Sequence, residues 1–137
     1  MEHPVHAQLY PYLSYADAGS ALGWFEAVGF QILTRQDDAD GRVIHAEARL
    51  GDVRVMVASS DADYLVPPLH GLSTGMGLYL QVTDVADVDA WHARAVEAGG
   101  REVMAPQDTE WDSRRARVLD PQGREWSIGT YQPGRSW

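Results

Sequence analysis

Residues 13–24, LSYADAGSALGW, are echoed by residues 80–91, LQVTDVADVDAW. Each stretch opens Leu-x-apolar-x-Asp, as Leu13 to Asp17 and as Leu80 to Asp84. Each then reaches a tryptophan seven residues past its Asp, at Trp24 and at Trp91, so the offset is 67 residues throughout. Farther along, Ala48-Arg49-Leu50 returns as Ala116-Arg117-Val118, at an offset of 68. A near-constant offset of about half the 137-residue chain marks a duplicated module.

Each copy reads as strand, helix and three strands. In the first, Leu9 to Tyr15 alternates as a strand. Asp17 suits a helix N-cap, because its carboxylate can accept from the free N–H groups of the first turn. Ala21, Phe25 and Val28 follow at helical spacing and Gly29 stops the helix. Phe30 to Arg35 reads as a strand, Asp37 to Gly41 as a polar turn, and Val43 to Leu50 with Val53 to Ala58 as a hairpin through Gly51-Asp52. In the second copy the strand Met76 to Val82 precedes a helix capped by Asp84, running through Val88, Trp91 and Ala95 and ended by Gly99-Gly100. Arg101 to Met104, Arg114 to Leu119 and Glu125 to Tyr131 supply its strands, with Asp120-Pro121-Gln122-Gly123 as the last turn. The expectation is one α+β domain over residues 1–137, built from two βαβββ modules at about 7–60 and 75–132 whose mixed sheets curve around a cleft. Residues 61–74, with Pro67-Pro68, form the linker.

Alternation along a strand sorts side chains to two faces. Leu9, Leu13 and Tyr15 share one face of the first strand, and Tyr10, Tyr12 and Ser14 the other. Ile44, Ala46, Ala48 and Leu50 oppose His45, Glu47 and Arg49. Leu78, Leu80 and Val82 oppose Gly77, Tyr79 and Gln81. Trp126 and Ile128 oppose Glu125, Ser127, Gly129 and Tyr131. The apolar faces suit packing beneath the helices, together with Trp24 and Trp91. The second faces gather aromatics and a few polar groups, the composition of a small-molecule site.

Composition narrows the function. Without cysteine there is no disulfide, thiolate nucleophile or zinc–thiolate site. A net charge of −9 disfavours nucleic acid. No apolar run reaches the ~20 residues of a membrane span, and residues 1–10, MEHPVHAQLY, lack the apolar core of a signal peptide. A cytoplasmic location is expected. No Ser-His-Asp order, phosphate-binding loop or Gly-x-Gly-x-x-Gly is present. His3, His6 and His70 fall outside the expected elements, and His92 lies on the second helix.

The strings DAGSALGWFEAVGF (17–30), AEARLGDVRVMVA (46–58) and LDPQGREWSI (119–128) resemble the vicinal-oxygen-chelate superfamily, which includes glyoxalase I and the bleomycin-resistance proteins. The resemblance covers nearly the whole chain. It implies the fold above, and it implies either metal-dependent lyases, isomerases, epimerases and dioxygenases or proteins that bind antibiotics without chemistry. It also implies where a divalent ion would be held. The first-strand ligand position is Tyr10, the fifth-strand position is Gly77 and the last-strand position is Ser127. None of these suits an ion that needs converging nitrogen or charged oxygen donors. A register shift of two residues would put Glu125 in place of Ser127, leaving His45, Glu47 and Glu125 as an alternative metal site.

Three readings follow. The first is a small-molecule-binding protein without a metal or other cofactor, acting by sequestration as in antibiotic resistance, and homodimeric. Tyr10, Tyr12, Tyr79 and Trp111 would supply aromatic area. His45, Glu47, Glu125 and Ser127 would supply polar contacts. Because Trp111 sits in an acidic loop between strands, Pro106 to Asp112, this reading expects a planar, neutral-to-cationic ligand. The second is a metal enzyme of the same fold with displaced ligands. The third is a stand-alone regulatory or interaction module.

Overall fold

A computed structural model describes residues 6–60 and 76–134. The expected linker, residues 61–74, lies outside the described residues, as do His3 and His70. The first module comprises β1 (Tyr12–Tyr15), α1 (Ala18–Ala27), β2 (Gln31–Asp37), β3 (Val43–Leu50) and β4 (Val53–Ser59). The second comprises β5 (Gly77–Gln81), α2 (Val85–Glu97), β6 (Arg101–Asp108), β7 (Arg114–Leu119) and β8 (Glu125–Gly129). Each module forms a four-stranded mixed sheet, in the orders β1-β4-β3-β2 and β5-β8-β7-β6. The pairs β1/β4 and β5/β8 are parallel and the others antiparallel.

The helix ends are those the sequence calls for. Asp17 accepts from Ser20 N at 3.0 Å and Asp84 from Ala86 N at 2.9 Å, so each satisfies a free donor of the first turn. Bonds from the Ser20 hydroxyl and backbone also hold the Asp17 carboxyl below its ordinary range. Gly29 and Gly99 end the helices at φ of 106° and 108°, conformations a side chain would strain. Phe30 N donates to Phe25 O and Gly100 N to Ala95 O, both at 2.9 Å, closing the same C-cap twice.

One hydrophobic core joins the modules. Trp24 of α1 meets Trp91 of α2 edge-on at 6.1 Å between ring centroids, and lies 5.8 Å from Trp126 of β8. Phe25 packs edge-on against Trp126 at 5.5 Å. Trp24 Nε1 donates to Ala95 O at 3.2 Å, so the buried indole keeps a partner. Truncating the fully buried Trp126 to alanine would cost about 3–5 kcal/mol.

A polar clasp lies beside this core. Buried Asp120 accepts from Tyr15 Oη at 2.6 Å and Trp126 Nε1 at 3.1 Å. It also accepts from the backbone N–H groups of Gln122 and Arg124. Gln122 binds both the N–H and the carbonyl of Asp17, and Arg124 donates to Ser14 O. Burial first, and the Asp120 bond second, push the Tyr15 phenol far above its ordinary range.

Two face assignments need correction. Leu9 is 93% exposed and precedes β1, so it is not core. Val43 is buried and Ile44 exposed, the reverse of simple alternation. The pairing of β2 with β3 slips there, from Gln36↔His45 to Asp37↔Val43. The extra residue turns Ile44 outward and restores the phase at His45.

Candidate functional site

The side of the second sheet away from the core carries a half-open cavity of about 540 Å³. That volume suits a small molecule. Its floor follows from strand phase. On β7, Ala116 and Val118 are buried in the core, so Arg115 and Arg117 project the other way. Arg117 pairs across the sheet with Ser127, which pairs with Tyr79, and these three side chains form one row. Arg117 Nε donates to Ser127 Oγ at 3.0 Å.

Two glycines shape this floor. A side chain at Gly129 would meet Tyr79 Oη at 2.9 Å and Arg114 O at 3.0 Å. Its absence lets the Tyr79 ring cross β8 and donate to Tyr131 O at 2.6 Å. Partial burial raises the Tyr79 phenol above its ordinary range, so it remains a neutral donor. At Gly77 the space a side chain would take is filled by the Glu125 carboxylate. Glu125 Oε2 lies 3.8 Å from Arg117 Nε. Trp111 also lines the cavity, with the Arg115 guanidinium carbon over its ring at 5.2 Å from the centroid.

Of the residues expected at the site, Tyr79, Trp111, Glu125 and Ser127 line this cavity. Tyr10, Tyr12, His45 and Glu47 do not, because they belong to the first module. There His45 Nε2 lies 2.8 Å from Glu47 Oε2. Tyr12 is exposed on β1, and Tyr10 precedes that strand with its hydroxyl bonded to Gln8. The reading from sequence missed Arg115 and Arg117. Their signal was the burial pattern Ala116-x-Val118, which was available but not carried across to β7. Met104 and Tyr131 also line the cavity.

The sequence matches the Glyoxalase/Bleomycin resistance protein/Dioxygenase superfamily over residues 4–128. The chain belongs to this superfamily. It is 35% identical over 137 residues to uncharacterized proteins of Mycobacterium bovis and Mycobacterium tuberculosis, a match spanning 96% of this chain and 86% and 77% of theirs. Among solved structures it is similar to TioX from Micromonospora sp. ML1, at 29% identity and a TM-score of 0.71, covering 93% of this chain and 100% of that one. A glyoxalase-related enzyme from Fulvimarina pelagi shares the fold at 19% identity and a TM-score of 0.68, over 89% of this chain and 86% of that one.

The superfamily's metal enzymes would hold an ion at positions that are here Tyr10, Gly77 and Ser127. These residues do not fit it. Tyr10 is bonded to Gln8, Ser127 to Arg117, and Glu125 occupies the space above Gly77 beside a guanidinium. The alternative set does not converge within one chain either. Glu125 lines the second module's cavity while His45 and Glu47 pair on the first. Among the described residues no three His, Cys, Asp or Glu side chains group as a metal site. Nor is any described helix long and apolar enough to cross a membrane.

Proposed function

We propose that this superfamily member is a cytoplasmic small-molecule-binding protein that acts by sequestration, without the metal site of the superfamily's enzymes. The observation that carries the reading is the half-open cavity built on Tyr79, Trp111 and the polar row Arg117-Ser127. It offers aromatic area and fixed hydrogen-bonding groups, the usual means of holding a small ligand. Among the described residues no group of metal-binding donors is assembled beside it.

We also propose that the cleft is completed in a homodimer. The described side chains that line the cavity come from the second module and the residues just after it. The first module presents Tyr12, His45 and Glu47 on a face that its own chain does not set over that cavity. A two-fold pairing would place this face of one copy over the open cavity of the other.

Titration of the dialysed protein with planar aromatic compounds tests the binding reading. A saturable change in tryptophan fluorescence is expected, mostly lost in Trp111→Ala. No response across the panel would overturn it. About one zinc, nickel, iron or manganese ion per chain by elemental analysis would instead favour a metal-dependent lyase, isomerase or dioxygenase. Light scattering should give twice the 15.2 kDa chain mass, and the single mass would rule out the shared cleft.

A further inference from the structure

Arg114, Arg115 and Arg117 stand together on β7, yet their surroundings differ. Arg114 points to the helix side, where it holds Asp89 at 2.7 Å and Asp108 at 3.0 Å. Its charge is matched twice. Arg117 points into the cavity, bonded to Ser127 Oγ and only loosely approached by Glu125 at 3.8 Å. Arg115 also points into the cavity, and its Nε is buried with no hydrogen-bond partner among the described residues. Its other contact is the Trp111 ring beneath it.

Among the described residues the cavity therefore holds two guanidinium groups and one carboxylate, in a chain whose net charge is −9. A local excess of positive charge against an acidic background marks the place where an anion gains most. A guanidinium is a planar fork of donors that matches the two oxygens of a carboxylate. The Arg115 guanidinium carbon lies over the Trp111 ring, 5.2 Å from its centroid, a contact that restrains the side chain and lowers the entropy lost when a ligand engages it. The cation over Trp111 is thus the protein's own, so that ring face is not open to a cationic ligand.

We infer that the cavity takes a planar ligand bearing a carboxylate, met by the Arg115 and Arg117 guanidinium groups that line it. This rests on the cavity being a binding site, and it replaces the neutral-to-cationic ligand expected from sequence. Glu125 sets the orientation. It excludes the anionic end from the Gly77 side and leaves the Arg115 side open, while Tyr79 and Met104 flank the ligand's ring.

Three compounds that share one ring system test the assignment: naphthalene-2-carboxylate, naphthalene-2-carboxamide and 2-naphthylmethylammonium. Calorimetry on the full chain should show the carboxylate bound about tenfold more tightly than the carboxamide, the difference expected of a charge-assisted pair. The ammonium should bind most weakly. Added salt should narrow the gap between carboxylate and carboxamide. Arg115→Gln should reduce that gap to about twofold or less, and Arg115→Lys should keep part of it, because the charge remains and the fork does not. Arg101→Gln, exposed at the start of β6, should leave the gap unchanged. Equal or tighter binding of the carboxamide or ammonium to the wild type would overturn the anion assignment while leaving small-molecule binding intact. A preference that survives in Arg115→Gln would also overturn it. Absence of heat from all three at millimolar concentration would defeat the binding reading together with this one.

Discussion

The two modules share their buried faces and differ in their open ones. Ala48 and Ala116 are both buried, Trp24 and Trp91 interlock, and both helices carry an aspartate cap and a glycine stop. On the open faces the same offset of 68 sets Glu47 against Arg115. One is a carboxylate held by His45, and the other is a guanidinium without a hydrogen-bonded partner at Nε. Packing constrains a duplicated core from both sides, because each side chain must fit the other copy's helix as well as its own sheet. The open faces carry no such constraint, so they are where the copies became chemically distinct. At this one matched pair the two copies carry opposite charge.

The largest test of the comparison sets Asp120 against Asp52, which stands 68 residues earlier. Both sit at hairpin turns. Asp52 is exposed, whereas Asp120 is buried and accepts from four donors, one of which, the Tyr15 hydroxyl, comes across the junction from the first module. Asp120→Ala strands those donors and should lower stability by about 3 kcal/mol. Asp52→Ala should change it by about 0.5 kcal/mol or less. Urea denaturation of the two variants gives both values. Equal losses would mean that Asp120 does not join the modules.

Gly129 and Ala58 test the sheets at matched places, each paired with the first strand of its own module. Ala58 already carries a Cβ in the core. Gly129→Ala would push against Tyr79 Oη and the Arg114 carbonyl, and the carbonyl cannot swing away. A loss of about 2 kcal/mol is expected, together with weaker ligand binding as the Tyr79 ring leaves Tyr131. A melting curve and a fluorescence titration check the two parts separately. Unchanged binding in a destabilised variant would show that Tyr79 does not shape the cavity.

The fold was legible because its signals are local. Helix caps, turn glycines and alternation each act within a few residues, and duplication shows every signal twice. Where the sequence misled, a partner strand decided. Nothing near Ile44 announces that β2 will slip by one residue and turn it outward. On the second sheet, β6 runs on through Pro106 to Asp108, past the expected end at Met104. Its pairing breaks around that proline, which has no N–H to give. Half of the candidate site was legible by face, since Tyr79, Glu125 and Ser127 alternate as expected. The division of the expected residues between modules was not, because it depends on how the two copies pack.

Tyr15 and Val82 occupy matching positions at the ends of β1 and beyond β5. Only Tyr15 titrates, and burial holds its phenol well above the usual value near 10. A pKa raised by folding adds stability below the unfolded value and loses it as pH climbs past that value, because only the unfolded chain then ionises. The wild type should therefore lose about 1.4 kcal/mol more than Tyr15→Phe between pH 8 and pH 11. Denaturation midpoints of both proteins at the two pH values measure the difference. Parallel losses would show that Tyr15 ionises as freely in the folded chain as in the unfolded one.

The smallest effect asks most of the comparison. The His45–Glu47 pair is 35% and 44% exposed, and a pair so well solvated contributes little to folding. Glu47→Gln should change stability by about 0.5 kcal/mol or less. Its effect on binding depends on where the first module's open face lies. If each chain works alone, Glu47 is remote from the cavity and the affinity for naphthalene-2-carboxylate stays the same. If the face of one copy covers the cavity of another, Glu47 repels that carboxylate from the far wall. Removing the charge should then tighten binding about threefold, the scale of one screened charge a few ångströms away in a wet cleft. The carboxamide, having no charge, should not respond. A threefold gain confined to the carboxylate would tie the two open faces into one site, and no gain would leave the first module outside the binding chemistry.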